Sequence, residues 1–85
     1  MTDAEKTVKI NEVVESCCTS WNGHMKEALK NAMNAIVYTD SDAESYEAYK
    51  SVQTIVAFME DSFFLDERQS SKLSDFAADL YYGYC

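Results

Sequence analysis

The chain contains no proline and only two glycines, Gly23 and Gly83, in 85 residues. A multi-stranded sheet needs a turn roughly every 8–12 residues, and those turns rely on Gly, Pro and Asn-Gly pairs for backbone angles that other residues resist. Only Asn22-Gly23 offers such a pair. The chain therefore has to be built from helices, and its apolar residues are read at the helical period.

Thr2 with Glu5 three residues on forms a capping-box pattern, and predicts a first helix from Asp3 to about Trp21. Its apolar stripe is Ile10, Val14, Cys17, Cys18 and Trp21, with Thr7 and Val13 at the edges. Asn22-Gly23 marks either a break or a kink in one continuous helix. From His24 to Tyr38 the spacing of Met25, Ala28, Leu29, Ala32, Met33, Ile36 and Val37 predicts a second helix. Ser41 and Glu44 form a second capping-box pattern, opening a third helix from Asp42 to Phe63 that buries Ala48, Tyr49, Val52, Ile55, Val56, Met59 and Phe63. Asp66, Ser70 and Ser71 are alternative caps for a last helix, whose stripe is Leu73, Phe76, Ala77, Leu80, Tyr81 and Tyr84 and whose stop is Gly83. The expectation is one all-α domain over 1–85, a small antiparallel bundle of four helices, or three if the first two are continuous.

Charge is unevenly spread. Residues 1–39 carry five acids and four bases, whereas residues 40–85 carry ten acids and three bases, within a net charge of −8. At about 100° per residue, the outward face of the third helix bears Glu44, Glu47, Ser51, Thr54 and Asp61, with Phe58 among them and off the apolar stripe. On the last helix Asp75, Asp79 and Tyr82 group together, opposite the apolar stripe. An aromatic ringed by carboxylates suits capture of a basic partner: the ring is a desolvated anchor, while the acids steer approach and pair with Arg or Lys. Against this stands the ordinary solvated acidic face with single exposed aromatics.

Several function classes are excluded or disfavoured. Direct nucleic-acid binding requires Lys and Arg that displace counterions, which so acidic a chain lacks. The longest apolar run, Ile55 to Met59, is far short of the ~18 residues that span a bilayer. The charged start, Met1 to Lys6, is unlike a secretory signal, so an intracellular, cytoplasmic location is expected. Three cysteines, two of them adjacent at Cys17 and Cys18 and the third at Cys85, make no disulfide framework, and with a single His24 they make no recognisable zinc site. The acids from Asp40 onward lack the Gly and Glu of a calcium loop, with Ser45 and Ser51 in those places. No nucleophile elbow or phosphate loop is present, and a Cys17 or Cys18 nucleophile activated by His24 would need a pocket larger than so small a bundle provides. No enzyme activity and no cofactor are expected.

Two further clusters have two uses each. Met25 and Met33 could form an adaptable groove, and Tyr38, Tyr46 and Tyr49 a contact cluster, or both could pack the bundle. In length and acidity the chain resembles, as a type and without a shared motif, the nuclease immunity proteins, antitoxins and virus-encoded inhibitors of host defence or transcription. The expectation is a binding module that inhibits or modulates a basic, nucleic-acid-handling partner as a nucleic-acid mimic, with Glu44, Glu47, Asp61, Asp75 and Asp79 as charges and Phe58 and Tyr82 as anchors. The alternative is a homodimeric or scaffolding subunit whose acidity serves solubility alone.

Overall fold

A hydrogen bond from the Met25 N–H to the Asn22 side chain, 2.9 Å, divides the first half of the chain into two helices. Asn22 is extended and Gly23 is already the first helical residue, so the Asn-Gly pair starts a helix rather than ending one. The computed structural model describes residues 2–19 and 21–82. Its elements are α1 (Asp3–Cys17), α2 (Gly23–Tyr38), α3 (Asp42–Asp61) and α4 (Glu67–Tyr81). The bundle is four-helical, and α1 stops a turn earlier than its apolar stripe. Cys18 and Trp21 are nonetheless buried, because the connection folds back: Trp21 N–H donates to the Cys18 carbonyl at 3.1 Å.

The caps differ in detail from their sequence patterns. At Thr2 the hydroxyl takes both roles, accepting from the Glu5 N–H and donating to the Glu5 carboxylate, each at 3.2 Å. At Ser41 the return half is relayed: the Ser41 N–H donates to Thr39 Oγ1 (3.4 Å), which donates to Glu44 Oε2 (2.7 Å). The reciprocal box lies at the start of α4, where Asp66 accepts from the Gln69 N–H (2.7 Å) and Gln69 Oε1 accepts from the Asp66 N–H (3.0 Å). Of the three alternative caps, Asp66 is the one used.

Successive helices run antiparallel. Tyr38 at the end of α2 reaches the start of α1, bonding Thr7 Oγ1 at 2.6 Å and the Asp3 carbonyl at 3.1 Å. Lys26 at the start of α2 reaches Glu15 near the end of α1 at 2.9 Å. Helices α1 to α4 close a ring of neighbours, with α2 also touching α4 across the centre and α1 and α3 out of contact. The core is filled by Ile10, Val14, Leu29, Met33, Val52, Val56 and Leu73, each fully or almost fully enclosed. Each contributes about 1.5–3 kcal/mol by leaving water.

One expected position is corrected here. Phe63 lies beyond the end of α3 and is 95% exposed, whereas Leu65, in the connection to α4, is buried in the core. The expected stop at Gly83, the stripe position Tyr84 and the thiol of Cys85 lie outside the described residues.

Candidate functional site

The outward face of α3 follows from where its buried stripe points. Val52, Val56 and Met59 face inward, which leaves Glu44, Glu47, Ser51, Thr54, Phe58 and Asp61 exposed along a line. Phe58 is 67% exposed. The hydroxyls on this line donate to their own helix, Ser51 to the Glu47 carbonyl and Thr54 to the Lys50 carbonyl, both at 3.0 Å. The hydroxyl donors on this line are thereby already used.

Beside this line lies a groove of about 350 Å³ between α2 and α3, lined by Trp21, Met25, Ala28, Thr54, Ile55, Phe58 and Met59. Trp21 Nε1 is buried and lacks a hydrogen-bond acceptor, the sole such side-chain atom among the described residues. Leaving a buried donor unpaired costs about 1–3 kcal/mol, so the indole is held there by its packing.

One base, Lys50, borders this face, and the others are placed elsewhere. Lys26 and Lys30 both reach across to Glu15 of α1, at 2.9 and 3.5 Å, and hold its carboxyl below the usual carboxylate range. Lys50 lies over the Tyr46 ring at 5.5 Å, on the side of α3 that meets α4. Lys9, Arg68 and Lys72 line the groove between α1 and α4, and Lys6 is carried by α1, which does not touch α3. Among the described residues no ion pair joins Glu44, Glu47 or Asp61 to a base, although Lys50 stands three residues from Glu47 on the same helix.

The remaining three candidate residues are elsewhere. Asp75 and Asp79 line the α1–α4 groove of about 720 Å³, where Glu12 joins them and Lys9, Arg68 and Lys72 balance the charge. That groove lies on the edge of the ring opposite α2–α3. Tyr82 stands 76% exposed but belongs to an aromatic group, with its ring edge-on to Tyr81 (4.9 Å) and to Tyr49 (6.4 Å). Tyr49 stacks flat on Tyr81 at 5.1 Å, and Tyr46 meets Tyr81 at 5.7 Å. Tyr38 is tied to α1 and Met33 is fully buried, so of the Met and Tyr clusters only Met25 contributes to the α2–α3 groove.

Cys17 and Cys18 are core residues. Burial, reinforced by neighbouring Cys17, pushes the Cys18 thiol up to about 12, which keeps it protonated and unreactive at neutral pH. Cys17 is also buried, whereas His24 is exposed. Among the described residues no three His, Cys, Asp or Glu side chains gather as metal ligands, and no helix is long and apolar enough to cross a membrane.

Two features of this end of the molecule were not read from the sequence. The helical wheel of α2 holds the signal for the groove, since Ala28 and Ala35 are small exposed residues on the flank beside Met25. The exposure of Phe63 carries no such signal, because no glycine follows Asp61 to mark the helix end. Comparison of the chain with protein-family models, with curated proteins and with solved structures finds no match.

Proposed function

We propose that this chain is a non-enzymatic binding protein that inhibits or modulates a basic, nucleic-acid-handling protein by laying the outer face of α3 against it. The observation that carries this reading is the segregation of charge: Glu44, Glu47 and Asp61 share the outer face of α3 with a largely exposed Phe58, while the one bordering base, Lys50, has its ammonium over Tyr46 and the others lie on other faces. Acids on such a face attract Arg and Lys that otherwise neutralise phosphates, and the phenyl ring supplies the desolvated contact that electrostatics alone does not. Asp75 and Asp79 take a smaller part, because three bases share their groove.

Recovery of the partner from lysate of the native host tests this, with washes at low and high salt and with competing duplex DNA. The expected result is one basic nucleic-acid-binding protein, released by salt or by DNA. A partner retained through both washes would count against mimicry.

A second reading, self-association of a structural subunit, has the exposed Phe58, Phe63 and Phe64 in its favour and a net charge of −8 against it. Sedimentation separates the two: a tight dimer indifferent to salt supports the second reading, and a monomer the first.

A further inference from the structure

The α2–α3 groove gives the proposed partner a more definite chemistry. We infer that it seats one apolar side chain of an amphipathic helix whose flank carries Lys or Arg, an inference that rests on the reading of α3 as a binding face. The groove is apolar, with the Thr54 hydroxyl donor already used on its own helix, and about 350 Å³ is room for a leucine or phenylalanine side chain with its immediate neighbours. It lies toward one end of the acidic line, with Asp61 three residues beyond Phe58. Glu47 and Glu44 are eleven and fourteen residues before Phe58, which places them about 16 and 21 Å away along the helix.

A helix lying along α3 with an apolar side chain beside Phe58 and basic residues three to four turns away matches both ends at once. The α2 side of the face admits such an approach, because Ala28, Asn31 and Ala35 are small, uncharged exposed residues there, and the larger exposed His24 lies only in the first turn of α2. The structure also argues against a second copy as the occupant. An antiparallel α3 pair centred near Ser51 and Thr54 would set Phe58 opposite Glu47 of the other copy, with the Lys50 ammonium of each copy held over its own Tyr46 rather than on those acids.

Trp21 is the chain's single tryptophan and lines the groove, so its fluorescence reports on occupancy. The probe is a synthetic amphipathic helix of about 18 leucines and lysines, ~27 Å long, with a leucine–glutamate peptide as control. Binding is followed both by Trp21 emission and by anisotropy of a dye on the peptide.

The expected result is a saturable shift of Trp21 emission with the lysine peptide and none with the glutamate peptide. Ala28→Phe, at an exposed position, partly fills the groove and is expected to weaken binding about tenfold or more. Glu44→Lys with Glu47→Lys is expected to do the same and to flatten the salt dependence.

If the peptide binds by anisotropy and responds to the charge reversal, yet Trp21 emission and affinity ignore Ala28→Phe, the groove inference fails and the acidic face stands. If neither variant changes binding, both fail. Trp21 emission that shifts with protein concentration in the absence of peptide identifies a second copy as the occupant, and also overturns the inference.

Discussion

Phe64 donates its backbone N–H to the Met59 carbonyl at 2.9 Å, closing the end of α3 around Phe63. With Phe63 N–H on the Glu60 carbonyl at 3.1 Å, this is the paired arrangement that ends many helices and normally has glycine at its left-handed position. Here that position is Phe63, at φ 66°, with its ring almost wholly in water. A bulky residue in this conformation costs about 1–2 kcal/mol, and so exposed a ring recovers little of it by burial.

Phe63→Gly is therefore expected to stabilise the fold by about 0.5–1.5 kcal/mol, a rise in Tm of several degrees for a domain of this size. Urea or thermal melts check this. A fall in stability would mean that the ring makes contacts that matter more than the strain.

Tyr38 joins the end of α2 to the start of α1 through its hydroxyl, which meets Thr7 Oγ1 and the Asp3 carbonyl. Tyr38→Phe keeps the ring and removes both bonds, with an expected loss of about 0.5–1.5 kcal/mol. Amide exchange in the first turns of α1 should quicken with it, because those turns lose their tie to α2. Unchanged exchange there would show that the hydroxyl is not what anchors them.

Glu15 holds both Lys26 and Lys30, and its carboxyl is depressed below its ordinary value of 4.5, chiefly by the hydrogen bond from Lys26. A depressed acid stabilises the fold above its unfolded pKa, and this contribution is lost as pH falls through the folded value. The Tm difference between the native chain and Glu15→Gln should therefore be positive at neutral pH and shrink to nothing well below pH 4.5. A difference independent of pH would deny the ion pairs any role.

Cys17 and Cys18 are both buried, and the Cys18 thiol is pushed up to about 12. In a Cys85→Ser background neither should react with iodoacetamide at neutral pH in the folded state, and both should react in denaturant. Fast labelling of the folded chain would show that the α1–α2 connection opens readily.

The helices were legible because the period of their apolar residues and the caps at Thr2 and Ser41 agree. The ends were less so. α1 stops at Cys17 although Cys18 and Trp21 continue its apolar pattern, because burial is achieved just as well by a connection that folds back. Phe63 fits the stripe of α3 by spacing alone, but the helix has ended before it can turn inward. Of the candidate site, helical geometry was enough to align Glu44, Glu47, Phe58 and Asp61, which share one helix. It could not show that Asp75 and Asp79 face Lys9 of α1, or that Tyr82 joins Tyr49 and Tyr81, since those neighbours are set by how helices pack.

The most direct test compares two charge reversals for recovery of the basic partner: Glu44→Lys with Glu47→Lys on α3, and Asp75→Lys with Asp79→Lys on α4. Both pairs are exposed and Glu44→Lys gives up only the cap bond from Thr39, so circular dichroism should show the fold intact in each. The account predicts that the α3 reversal abolishes recovery while the α4 reversal largely preserves it. Equal recovery with both, or loss confined to the α4 reversal, would contradict the assignment of binding to the outer face of α3.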